Sequence, residues 1–253
     1  MSRSYPTSLV RSVVRAISYA GYQLRRRDHS GDIYPSDDPA GYVAGRCPDR
    51  IIVIGEATAM GYGVLTHELG LAAQFARQLS ARSERGAEWW TIPLPENLIG
   101  HAPQLIHAMR SRLAHVDIVI IVAGIADTLS LTTTTAWRRQ LTATMDALRL
   151  YLPMDALILI PRIPPLSKAG AIPPVMRWAS SYQAERLNEA SAAVLRARPR
   201  CGHVDFPAGL DNQMWQVETC PAAYRDLYST WAAALVDVVA EHTEASASVG
   251  RRA

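Results

Sequence analysis

Residues 51–64, Ile-Ile-Val-Ile-Gly-Glu-Ala-Thr-Ala-Met-Gly-Tyr-Gly-Val, read as a buried strand that breaks into a glycine-bearing turn. Such a turn can lift a side-chain hydroxyl out of the sheet edge, where it attacks a carbonyl once a base takes its proton. Ala57, in this turn, has no oxygen. Thr58 is the hydroxyl beside it, and the shift of one residue turns its side chain toward the other side. Glu56 either contacts a ligand or caps nearby amides as a polar turn residue. A second run, residues 118–127 (Ile-Val-Ile-Ile-Val-Ala-Gly-Ile-Ala-Asp), brings Asp127 to another strand end, where it braces the loop or takes part in chemistry. His67 and His101 are the candidate bases. His67 also fits the first turn of a helix, and His101 a solvent-facing loop.

Taken in order, these segments resemble the SGNH/GDSL hydrolases, whose first block runs from a hydrophobic strand into Gly-Asp-Ser and further glycines. Gly55-Glu56-Ala57 stands at Gly-Asp-Ser, so the resemblance puts the nucleophilic serine at Ala57. The third block, Gly-x-Asn-Asp, matches at Gly124, Ile125 and Asp127, with Ala126 at the asparagine that helps hold an oxyanion. Loss of one such donor typically costs roughly 10²–10³ in rate. The last block, Asp-x-x-His, should precede the final helix. Anchored on Pro221-Ala222-Ala223-Tyr224, it places Glu218 or a neighbour at the histidine, and no histidine occurs from Asp205 to Tyr224. Gly100 is the candidate for the second block's glycine, although a plain turn glycine explains it as well. The resemblance spans about residues 50 to 240. It implies a cleft lined by Gly55, Glu56, Ala57, Thr58, Gly100, Gly124, Ala126 and Asp127.

Short β-rich runs alternate with helical ones from Arg50 onward, the pattern of a parallel sheet covered on both faces. Strands are predicted at Ile51–Ile54, Trp89–Ile92, Ile118–Val122, Ala156–Ile160 and His203–Phe206. Helices are predicted near Thr66–Ser80, Pro103–Leu113, Thr135–Leu150, Val175–Arg198 and Pro221–Glu241. The expected fold is α/β: a flavodoxin-like three-layer α/β/α sandwich with a five-stranded parallel sheet, its ligands bound beyond the carboxyl ends of the strands. Trp89 and Trp90 point to opposite faces and read as core. The Pro-rich segment 161–174 is either a lid over the cleft or a stiff connector. Glycines 55, 61 and 63 do not have dinucleotide-binding spacing.

The domain reading is a basic amphipathic helix over residues 1–27, a linker or wrapping arm over 28–49, a hydrolase-like domain over 50–242 and a flexible tail over 243–253. The net charge is +3, yet residues 1–27 carry Arg3, Arg11, Arg15, Arg25, Arg26 and Arg27 without an acid, which leaves the rest net negative. A nucleic-acid surface is therefore not expected. The basic segment can lie on an anionic membrane or pack on the domain or a partner. No apolar stretch reaches the ~20 residues that cross a bilayer. Cys47, Cys201 and Cys220 lack ligand-like spacing, so neither a disulfide framework, a metal nor another cofactor is expected, and a cytoplasmic setting is the default.

Three functions stay open. One is a degenerate hydrolase-fold protein, a pseudoenzyme that binds a small molecule or a protein in the old cleft. Another is an active esterase or acyl hydrolase with relocated groups drawn from Thr58, His67, His101, Asp127 or an activated water. The third is a membrane-surface interaction protein.

Overall fold

The computed structural model describes residues 33–169, 172, 174–216 and 221–250. The basic helix expected over residues 1–27 lies outside them. Six strands, β1 (Ala40–Val43), β2 (Arg46–Gly55), β3 (Arg85–Pro93), β4 (Ile118–Val122), β5 (Leu157–Pro161) and β6 (Cys201–Val204), form one sheet in the order β1-β3-β2-β4-β5-β6. The last five in that order are parallel, and β1 pairs antiparallel with β3. The helices are α1 (Leu71–Ser83), α2 (Ala102–Ala108), α3 (Arg110–Leu113), α4 (Ile125–Leu129), α5 (Thr134–Tyr151), α6 (Pro174–Arg196), α7 (Leu210–Gln216) and α8 (Pro221–Gly250). No described helix is long and apolar enough to cross a membrane.

The apolar runs Ile51–Ile54, Ile118–Val122 and Leu157–Pro161 are buried throughout, because helices cover both faces of the sheet. Alternate residues feed two cores. Ile51, Val53, Ile120 and Leu159 pack with Phe75 of α1 and Trp231 and Leu235 of α8. Ile52, Ile54, Ile121 and Ile158 pack with Ile106 of α2, Trp137 and Leu141 of α5 and Leu187 of α6. Trp89 joins the first core, whereas Trp90 faces the second and carries Arg112 over its ring at 5.7 Å. The two tryptophans serve packing, as their alternation implies.

The sheet has six strands rather than the expected five. The extra one comes from the segment read as an arm: Ala40 pairs with Trp90 and Val43 with Ala87. Four residues containing a glycine carry no readable strand period; β3's open edge gives them their ladder. Gly41 lies so close to Trp89 that a Cβ would sit 2.5 Å from its ring. The preceding residues continue over the first turn, where Ile33 O accepts from Gly63 N at 2.8 Å and Tyr34 packs edge-on against Tyr62. The closing helix continues past Glu241 to Gly250, so residues 243–250 of the expected tail are helical.

Register brings the carboxyl ends of the central strands level. Gly55 is opposite both Pro93 and Val122, and Pro161 is opposite Val204. The turns that follow β2, β3, β4, β5 and β6 therefore emerge along one edge. The reversal of strand order falls between β2 and β4, where the crevice of such a fold opens.

Candidate functional site

At that edge β2 and β4 come together closely. A Cβ on Gly55 would lie 2.2 Å from Val122 O, and Glu56 N donates to that same carbonyl at 3.0 Å. The chain then turns tightly: Ala57 O accepts from both Met60 N and Tyr62 N. Ala57 is half-buried, and Thr58 is buried in the turn's interior.

Glu56 does not stand open to a ligand. Its Oε1 accepts from Gly124 N at 2.6 Å and Ile125 N at 3.0 Å, and its Oε2 accepts from Ala126 N at 3.0 Å. The carboxyl group thus caps the first turn of α4 and staples the turn after β2 to the turn after β4. Burial pushes its pKa up to about 8, with the charge of Asp127 acting in the same direction and the three amides acting against both. The chain must bend sharply to offer three consecutive amides, and Gly124 makes that possible at φ 121. A Cβ there would also meet Ile163 Cδ1 at 2.5 Å.

Asp127 is likewise internal. It is 1% exposed; its Oδ2 accepts from Ile99 N at 3.0 Å and its Oδ1 from the Thr132 hydroxyl at 3.0 Å. It ties the turn after β4 to the loop that carries Gly100. Gly100 itself is half-buried in a short helical turn, Ile99–His101, with the Gln140 amide against it. Ala126 has no exposed surface, so it does not line an open cleft as the sequence reading expects. Its methyl is packed while its amide serves Glu56.

The two candidate bases have carboxylate partners other than Glu56 and Asp127. His67 is 6% exposed, and its Nδ1 is 2.9 Å from Asp37 Oδ1, while its backbone N–H donates to the same carboxylate. Burial opposes charge on Asp37, but the His67 amide and imidazole outweigh it and hold the carboxyl below its usual value. Asp37 was not legible as a partner, because it sits in an aperiodic segment thirty residues away. His101 is partly exposed, with Nε2 3.4 Å from Glu96 Oε2. The segment around Glu218 and Cys220 lies outside the described residues.

Two hollows follow the edge toward β6. One, of about 20 Å³, is lined by residues that include Glu56, Thr58, Ile125, Arg162 and Trp231. The other, of about 570 Å³, lies between α6 and the loop after β6, with Arg162, Ile163, Glu185, Asn188, Asp205 and Phe206 in its walls. Arg162 belongs to both, ion-paired with Glu185 and 3.7 Å from Asp205. The loop after β5 is pinned rather than poised as a lid. Ile163, Leu166 and Ala169 are buried, and Asn188 exchanges hydrogen bonds with both the N–H and C=O of Ile163.

No family model matches the chain, and no curated protein matches it. Among solved structures it is similar to a lipase from goat rumen metagenome, with a TM-score of 0.57 at 10% identity over 74% of this chain and 97% of that one. It is similar to TesA, with a TM-score of 0.53 at 14% identity over 74% and 98% of the two chains. It is also similar to the psychrotrophic esterase EstA from Pseudoalteromonas sp., with a TM-score of 0.52 at 15% identity over 78% and 99%. The chain has the fold of the SGNH/GDSL hydrolases, and at the carboxyl ends of β2 and β4 it carries Ala57 and Ala126 where the resemblance puts serine and asparagine.

Proposed function

We propose that this protein keeps a hydrolase scaffold without serine-esterase chemistry and binds a small molecule or a protein at the carboxyl edge of its sheet. The observation that carries this reading is the fate of the polar groups in the two matching blocks. Ala57 has no nucleophilic oxygen, and the carboxyl groups of Glu56 and Asp127 are occupied by backbone amides. Triad chemistry needs a nucleophile, a base within reach and an oriented acid acting together. The groove of about 570 Å³ supports binding, since small-molecule sites occupy ~300–1,000 Å³.

A second reading rests on Asp37 and His67, whose contact has the form of a carboxylate orienting an imidazole base. One assay separates the two. Purified protein is incubated with short-chain p-nitrophenyl esters and acyl thioesters, beside the variants Thr58→Val and His67→Ala. The binding reading expects all three at the buffer rate. Turnover well above that rate, abolished in either variant, would establish a relocated hydrolase instead.

A further inference from the structure

Helix α6 carries an uncovered aromatic ladder on its outer face. Trp178 and Tyr182, about one helical turn apart, are 76% and 59% exposed, and their rings stack with centroids 6.1 Å apart and planes 8° apart. Arg186, another turn along and also exposed, holds its guanidinium over the Tyr182 ring at 5.9 Å from the centroid. Elsewhere this chain keeps its indoles inside: Trp89, Trp137 and Trp231 are each 1% exposed. Trp, Tyr and Arg are the residue types that carry most of the energy at protein interfaces, because each joins a broad flat surface to a polar group. The ladder ends in an indole on one side and a cation on the other.

We propose that this face of α6 binds a second copy of the chain, the two α6 helices lying antiparallel about a two-fold axis at Tyr182. The spacing selects that occupant. Trp178 and Arg186 stand at equal distances along the sequence on either side of Tyr182, so a two-fold axis there lays the indole of each copy beside the guanidinium of the other. An isologous contact makes that favourable pair twice, and a cation over an indole gains most when water is excluded. Parallel helices would instead set Arg186 beside Arg186, which like-charge repulsion opposes. An anionic lipid surface also takes Trp, Tyr and Arg together, but here it would meet Glu185 and Glu189, both exposed and on the same side of the helix as Tyr182. The contact does not depend on whether the groove beside α6 takes a ligand.

The test is sedimentation of the full-length protein over about 1 to 200 µM, the range of a transient homodimer. Wild type is expected to pass from monomer to dimer, and Trp178→Ala and Arg186→Ala should each raise the dissociation constant about tenfold or more. Both side chains are exposed, so circular dichroism should show the fold intact in each variant. Mixing the two variants reads out the two-fold pairing. Each variant's own dimer has lost both indole–guanidinium pairs, whereas the mixed dimer keeps one, so the mixture should associate more tightly than either variant alone. A monomer throughout the range overturns the proposal, as does a dimer that the variants leave unchanged or that mixing fails to strengthen. Binding to anionic vesicles that Trp178→Ala abolishes, with the protein monomeric in solution, overturns it in favour of a lipid surface.

Discussion

Glu56 shows how one methylene can change the use of a side chain. The resemblance places an aspartate there, beside a nucleophile; here a glutamate spans the gap between β2 and β4 and takes three amides. Its pH behaviour follows from the shift. With a folded pKa of about 8 against an ordinary 4.5, the native state keeps a proton that the unfolded chain releases between those values. The group's contribution is complete below the lower value and declines as pH rises through the upper one. Urea unfolding should therefore show stability falling between about pH 5 and pH 8, and Glu56→Gln should flatten that slope. Glu56→Leu leaves buried amides unmet and is expected to cost about 3 kcal/mol near pH 5 and less near pH 8, measured by the same titration. Serine at the neighbouring position, where the resemblance puts one, is expected to do little chemically. Ala57→Ser should leave p-nitrophenyl ester turnover at the buffer rate, since a serine is a weak nucleophile unless a base takes its proton, and the two candidate bases are paired with Asp37 and Glu96.

At the scale of elements, the site is held by contacts between turns. Gly124 starts α4 at φ 121 under the Ile163 side chain, so a methyl group there is both strained and overpacked. Gly124→Ala should destabilise by about 2 kcal/mol or more, seen as a lower urea midpoint with an unchanged slope. Asn188 of α6 fixes the loop after β5 through the Ile163 backbone. Asn188→Ala should cost about 2 kcal/mol, with faster amide exchange at Ile163 than at the β4 core. These two glycine- and asparagine-dependent contacts explain why a Pro-rich segment that reads as a lid or a stiff connector is anchored to the core through Ile163. Periodicity reports exposure along one element, and Ile163, Pro164, Leu166 and Ala169 are buried by partners that lie on other elements.

The whole molecule adds an edge strand and an arm to the five-stranded parallel core. Asp37 joins the arm to His67, Ile33 to Gly63, and Pro39 to Thr91. Because Asp37 is held below its usual pKa, its contribution is present above about 3.8 and lost as pH falls further. Asp37→Ala should raise amide exchange at residues 33–43 while leaving β4 and β5 protected, and should remove part of the acid sensitivity of unfolding. If protection falls equally throughout, the arm and the core unfold as one cooperative unit.

The parallel core was legible because its central strands β2, β4 and β5 carry continuous aliphatic runs, and only a sheet covered on both faces buries such runs entirely. The same runs located the two turns in which Glu56, Ala57, Ala126 and Asp127 stand. What those residues do was decided by the tertiary structure. Glu56 and its amides are 68–70 positions apart, His67 and Asp37 are 30 apart, and Trp231 reaches the hollow from the last helix. Local sequence sets period and turn chemistry over a few residues. The register of β2 against β4 sets which donors meet which acceptors, and in this protein that register directs the Glu56 carboxyl group inward onto three amides.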